Sequence, residues 1–113
     1  MSLTINQDFF CYLLDSFKNP VLFADTGHMV RYANKAAKQF YPAGDKLVGR
    51  SLLGCHNQKS QARMIEILQR MEEGLDEVLI TDNEKRRIYM RAVRDTSGAL
   101  LGYYERFEPA RRR

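Results

Sequence analysis

The stretch Val21-Leu-Phe-Ala-Asp-Thr-Gly-His-Met-Val-Arg-Tyr-Ala-Asn-Lys-Ala-Ala-Lys-Gln-Phe-Tyr41 decides the fold. It reads as an apolar run, a tight turn at Asp25, Thr26 and Gly27, a second run alternating at Met29, Arg31 and Ala33, and a helix opened by Asn34. Gly27 can take the positive φ of a short hairpin loop and the Asp25 carboxylate can bond its own turn backbone, so the chain is expected to reverse there. Asn34 is expected to cap a helix over residues 35–41, its side-chain oxygen accepting an amide proton left free in the first turn. Pro42 and Gly44 stop that helix. Alone, these residues define a hairpin followed by a helix, a unit found in many α+β proteins.

Upstream, residues 4–18 read as an amphipathic helix. Thr4 and Gln7 have capping-box spacing, Phe10, Leu13, Leu14 and Phe17 recur at i, i+3, i+4 and i+7, and Asn19 and Pro20 end the run. Phe9 and Tyr12 widen the apolar surface beyond one stripe, so this helix either meets a partner or spends all its aromatics on the core. Downstream, residues 42–54 are rich in turn formers and predict an irregular or single-turn helical connection. Residues 60–73 predict a longer helix with Ser60 as cap, Met64, Ile65, Leu68 and Met71 on one face, and Gly74 as its stop. Residues 77–81, 87–94 and 100–107 predict an antiparallel meander of three strands, with Ile88, Met90 and Ala92 on the apolar face and Tyr89, Arg91 and Val93 on the other. The sheet should therefore cover a core on one side only. The expected class is α+β: a five-stranded antiparallel sheet, helices over one face, and an N-terminal amphipathic helix.

At 113 residues the chain is of single-domain size and can bury a core without disulfides or metal as staples. Its divisions are expected at residues 1–19 for the amphipathic helix, 20–108 for the domain, and 109–113 for a basic tail or the start of a linker. The two cysteines, Cys11 and Cys55, form neither a disulfide framework nor a Cys-x-x-Cys pair. The net charge of +4 argues for nucleic acid until its placement is read: setting aside Arg111, Arg112 and Arg113 leaves 15 basic against 14 acidic residues. Nucleic acid is therefore not an expected partner. No apolar run reaches the roughly 18 to 20 residues of a membrane span, nor does the N-terminus show a secretory pattern, so a cytoplasmic location is expected. No paired carboxylates, phosphate loop or Ser-His-Asp spacing point to an enzyme.

The order of these elements, with Asp25 to Gly27, Asn34 before Ala36 and Ala37, Val48-Gly49-Arg50, and the closing Arg91 to Asp95, Gly98 and Leu101-Gly102-Tyr103, resembles the PAS sensory domain. The likeness runs from about Asp15 to Glu108. Cys55-His56-Asn57-Gln58-Lys59-Ser60 is similar to the Cys-His-x-x-Lys-Ser stretch of a group of bacterial and archaeal PAS domains, some attached to hemerythrin-like regions, with Asn57 and Gln58 standing where prolines are usual. The resemblance implies a signal-input module of a signalling or transcription-regulating protein. Such modules hold a small molecule, haem or flavin between sheet and helices, or hold nothing and act as dimerisation pieces. An output domain and a homodimer formed through the N-terminal helix are the implied partners. Fold alone does not choose among these roles.

His56 carries the most potential chemistry: its imidazole can ligate haem iron or bind an anion, or it can simply bond local backbone. Cys55 can ligate as thiolate or remain a plain thiol. One His and one Cys fall short of a zinc site. His28, in the hairpin turn, is expected in solvent. The pocket candidates are His56, Phe23, Phe40, Leu52, Met64, Ile65, Leu68, Met90 and Tyr104, with Arg50 and Lys59 at the rim. A flavin-cysteine adduct is not expected, because Ser51, Leu52, Leu53 and Gly54 follow Gly49-Arg50 where that photosensor class carries its reactive cysteine.

Overall fold

The computed structural model describes residues 2–111. Helix α1 (Gln7–Asp15) precedes strands β1 (Val21–Asp25) and β2 (Val30–Ala33), then helix α2 (Lys35–Phe40). Two single 3-10 turns, Gly44–Lys46 and Leu52–Cys55, lead into helix α3 (Gln58–Glu72), and strands β3 (Glu77–Asp82), β4 (Arg86–Arg94) and β5 (Leu100–Pro109) close the chain. The five strands form one antiparallel sheet in the order β2-β1-β5-β4-β3. The expected fold class is therefore the observed one.

Strand alternation sorts the faces. Leu22, Ala24, Met90 and Tyr103 point inward and are fully buried against Ala37, Leu52 and the α3 residues Met64, Ile67, Leu68 and Met71. The outer face is polar around Tyr89, where the Arg106 guanidinium lies 4.2 Å from the ring centroid and binds Glu77 and Glu108. Gly102 on β5 passes so close to β1 that a Cβ there would overlap the Ala24 carbonyl oxygen, so this register requires glycine.

The predicted hairpin forms with one change. Asp25 Oδ1 accepts from the Gly27 and Met29 amides at 2.9 and 3.0 Å, but the residue with positive φ is His28, at 62°, and not Gly27. The Asp25 N–H donates to Met29 O at 2.9 Å, which closes a loop of three residues, 26–28, and such loops place the left-handed residue last. That backbone turns the His28 ring inward: it is buried, with Nδ1 2.8 Å from the Tyr103 hydroxyl, and not solvated.

Helix caps also move. Asn6, not Thr4, caps α1, accepting from Phe9 N at 3.0 Å, and the helix is shorter than residues 4–18. Asn57, not Ser60, caps α3, and it accepts from the Ser60 amide at 2.9 Å. Gly74, with φ of 114°, does end α3: its N–H bonds Met71 O and the Leu75 N–H reaches back to Arg70 O. Arg112 and Arg113, on which the basic-tail expectation rests, lie outside the described residues.

Asn34 does more than cap α2. Its Oδ1 accepts from Ala37 N at 2.9 Å and Val21 N at 3.0 Å, while Nδ2 donates to Leu14 O at 3.0 Å and Asn19 O at 3.1 Å. The side chain is fully buried and joins the end of α1, the start of β1 and the start of α2. Asn34→Ala should cost about 2–4 kcal/mol, the loss of a cap plus stranded buried partners, and lower the thermal midpoint by roughly 10–20 °C. An unchanged midpoint by circular dichroism would show that this junction is held by packing alone.

Candidate functional site

Between the inner face of the sheet and the roof formed by α2, the Leu52–Cys55 turn and α3 lies a cavity of about 270 Å3. Its walls are mainly apolar. Phe40, Tyr41 and Phe107 meet edge to face, with Phe40 centroids 5.1 Å from Tyr41 and 4.9 Å from Phe107. Met64 and Ile67 come from α3 and Ile88 from β4.

The polar wall is Glu105. On β5 it falls between Tyr103 and Phe107 on the inward side, directly across from Met90, and it is 1% exposed. Its Oε2 has no hydrogen-bond partner among the described residues. Burial pushes the Glu105 carboxyl up from its ordinary value of 4.5 to about 7. The hydroxyls of Tyr41 and Tyr103 are likewise raised, first by burial and then by the Glu105 charge. His28 is held below the ordinary histidine value by burial, against the opposing pull of Asp25.

His56 lines the cavity mouth, with Nδ1 2.9 Å from Leu52 O. A carbonyl oxygen only accepts, so the Nδ1 proton is donated there and Nε2 is the free ring nitrogen. Cys55, next to it, is an exposed free thiol. Arg63 reaches the same rim but is committed, donating from Nη1 to Ile80 O at 2.9 Å. No group of three or more metal-ligating side chains exists among the described residues.

The expected pocket residues divide. His56, Phe40 and Met64 do line this cavity. Leu52, Leu68 and Met90 are buried core residues that pack outside its lining. Ile65 is 42% exposed: from Met64 the inward positions are i+3 and i+4, Ile67 and Leu68, and a residue one step on is rotated by about 100°. Arg50 and Lys59 are exposed and do not line it. Phe23 and Tyr104 are on the opposite face of the sheet, where with Leu14, Phe17, Val21 and Tyr32 they border a second groove of about 740 Å3 beside the end of α1. Glu105, Tyr41, Ile67 and Phe107 were not among the candidates. For Glu105 and Phe107 the signal is parity: once Ile88 and Met90 are placed inside, antiparallel pairing carries Phe107 and Glu105 inside with them.

A haem does not fit these residues as arranged. The cavity lies below the roughly 300–1,000 Å3 of pockets for drug-sized ligands, a porphyrin is a larger rigid disc, and its path is filled by the Phe40, Tyr41 and Phe107 rings.

A family model described as the PAS domain matches residues 11–108. The chain belongs to the PAS domain family. No curated protein matches it in sequence. Among solved structures, the C-terminal domain of a Streptococcus mutans protein superposes with a TM-score of 0.76 at 17% identity, covering 96% of this chain and 92% of that one. The PAS domain of Bordetella pertussis BvgS gives 0.65 at 18% identity, covering 94% and 87%. The Aer2 receptor of Vibrio cholerae, described as a dual PAS-heme oxygen sensor, gives 0.61 at 19% identity, covering 81% and 94%. At these identities the likeness is one of fold.

A buried acid whose folded-state value is raised contributes stability that is fully present below its ordinary value of 4.5 and lost as pH rises through about 7. Wild-type protein should therefore lose about 3 kcal/mol relative to Glu105→Gln between pH 4.5 and about pH 8, read from urea unfolding at each pH. Parallel stability curves for the two proteins would mean that Glu105 is not the buried acid described.

Proposed function

We propose that this PAS domain is a signal-input module of a larger bacterial or archaeal signalling or transcription-regulating protein. It takes a small ligand into the cavity between sheet and α3, and it passes occupancy outward through α1. The observation that carries this reading is the cavity itself, apolar on most sides and closed on one by an unpartnered buried carboxylate. Small-molecule sites have that character: apolar walls and a few placed polar groups. The module works in the cytoplasm and by binding, with no catalytic step.

A route from cavity to α1 is short. Phe107 packs on Phe40 in the cavity wall, and its own amide donates to Pro20 O at 3.0 Å, in the connection between α1 and β1. A ligand that moves Phe40 and Phe107 thus loads the connection that Asn34 also grips. Coupling requires that the occupied cavity favour one placement of α1 over another. Ile67→Trp fills the cavity from α3 and mimics occupancy. It should change amide hydrogen exchange over residues 7–19 by at least about fivefold, a coupling of roughly 1 kcal/mol. Exchange that changes only around α3 and the sheet would leave the cavity without an output.

A second reading is favoured by α1, which buries none of its residues. Phe10 and Leu13 are 54% and 46% exposed and share one stripe of α1, and Phe17, 47% exposed, follows just beyond its end. Such a stripe suits a homodimer formed through α1, as a ligand-free dimerisation module would use. The intact chain should sediment as a dimer and Phe10→Glu/Leu13→Glu as a monomer with unchanged circular dichroism. An unchanged mass would remove α1 as the interface.

A further inference from the structure

Among the described residues six ion pairs tie down the carboxylates of Asp25, Asp76, Glu77 and Glu108 at the surface, and none involves Glu105. Yet Glu105 is the acid most removed from water. The cations nearest the cavity are engaged elsewhere: Arg63 bonds Ile80 O, and Arg86 lies over the Phe40 ring at 5.0 Å. The Tyr103 hydroxyl is taken by His28. A buried carboxylate oxygen with neither a donor nor a counter-charge is a strongly unfavourable arrangement, and a ligand that brings both relieves it.

We infer that the cavity takes a small organic cation, a primary amine on a compact apolar or aromatic body, with its ammonium group bound to Glu105 Oε2 and its body among Phe40, Tyr41, Phe107, Met64 and Ile67. This rests on the reading of the cavity as a ligand site and deepens it by naming the ligand class. Three features select an ammonium group over other donors. It supplies the hydrogen bond that Oε2 lacks and also a positive charge beside the carboxylate, the Arg63 guanidinium in the lining being bonded to Ile80 O and in no ion pair with Glu105. The edge-to-face aromatic cluster beside Glu105 presents ring faces and edges, surfaces on which the hydrocarbon part and the cation both rest favourably. The cavity admits a compact amine, where a nucleotide would overfill it. A carboxylate or phosphate ligand would meet the Glu105 charge at short range and is excluded by the same geometry.

Protonation enters because the site works with an ionised Glu105. The other titratable or charged groups facing it are the Tyr41 and Tyr103 hydroxyls, Cys55 at the end of the 3-10 turn and His56 just after it, Arg63 from α3, and Arg86 beyond Phe40. A bound ammonium group holds the carboxylate ionised, so binding below neutrality releases a proton and weakens.

The test uses the intact chain and a panel of matched probes: benzylamine, benzyl alcohol and benzoate, with butylamine and butanol as the aliphatic pair, each titrated by calorimetry and by amide chemical shifts. At about pH 8 the amines should bind at least about tenfold more tightly than the matching alcohols, and benzoate not at all. Glu105→Gln should abolish the amine preference while alcohol binding persists. Amine affinity should fall about tenfold from pH 8 to pH 6, a dependence kept by His56→Gln, which removes the imidazole from the comparison, and lost in Glu105→Gln. Should Glu105→Gln fail to fold, the pH series on wild type and His56→Gln carries the same decision. Equal binding of amine and alcohol, or an amine preference that survives Glu105→Gln, would overturn the assignment of a cation while leaving a ligand cavity. Absence of binding by every probe would overturn both the assignment and the reading of the cavity.

Discussion

The Asn34 side chain is the constraint on which the arrangement depends. Four hydrogen bonds from one buried amide satisfy an α2 amide, a β1 amide and two carbonyls at the end of α1 and in the connection that follows. Each of those backbone groups is at an element's end or in the connection beyond it, where regular ladder and helix bonding runs out. Asp15 adds to the same junction by accepting from Lys35 N at 2.9 Å and from the Tyr32 hydroxyl at 3.2 Å. Burial and the neighbouring Asp15 push the Tyr32 hydroxyl to about 12, so it stays a donor throughout the physiological range. The helix that exposes the most apolar surface is thus attached by a few polar contacts, from Cys11 O, which accepts from the Tyr32 hydroxyl at 3.3 Å, to its end.

That mode of attachment has a mechanical consequence. A helix packed by a broad apolar face moves as part of the core, whereas one tethered by a few directional bonds at its last turn can pivot about them. The opposing requirement is a rigid sheet, met by the close pass of Gly102 against β1 and by the Arg106 bridge to Glu77 and Glu108 across β3 and β5. The sheet is thus braced across its strands, while α1 is held by a few directional bonds.

Much of this architecture was legible in the sequence because it is written in local periodicity. The Asp25 turn, the Asn34 cap, the Gly74 stop and the alternation of Ile88, Met90 and Ala92 each depend on residues within one or two turns or strands of each other. Cap positions slipped where two capable residues compete: Asn57 and Ser60 both suit an N-cap, and the extended backbone at Asn57 decides. The site was less legible. Tyr104 and Tyr103 are indistinguishable by composition, and only the pairing of β4 with β5 assigns them to opposite faces. His28 looked solvated because a turn usually is, but its positive φ aims the ring at Tyr103. Glu105 was hidden by its own charge, since an acid in an alternating strand is ordinarily placed outside.

The same residue explains why the core carries a penalty that apolar substitution would remove. A leucine at position 105 would complete the wall of Phe107, Ile88 and Met64 and would stabilise the chain without any partner. An acid there leaves the folded state weaker as the carboxyl ionises, and at a pH where it is ionised the deficit is reduced by a group that brings a donor and a counter-charge into the cavity. Free energy recovered on binding is what a ligand must supply to shift one arrangement of a protein against another. On the function proposed above, Phe107, a neighbour of Glu105 along β5 and the residue bonded to Pro20, would deliver that recovery at the root of α1.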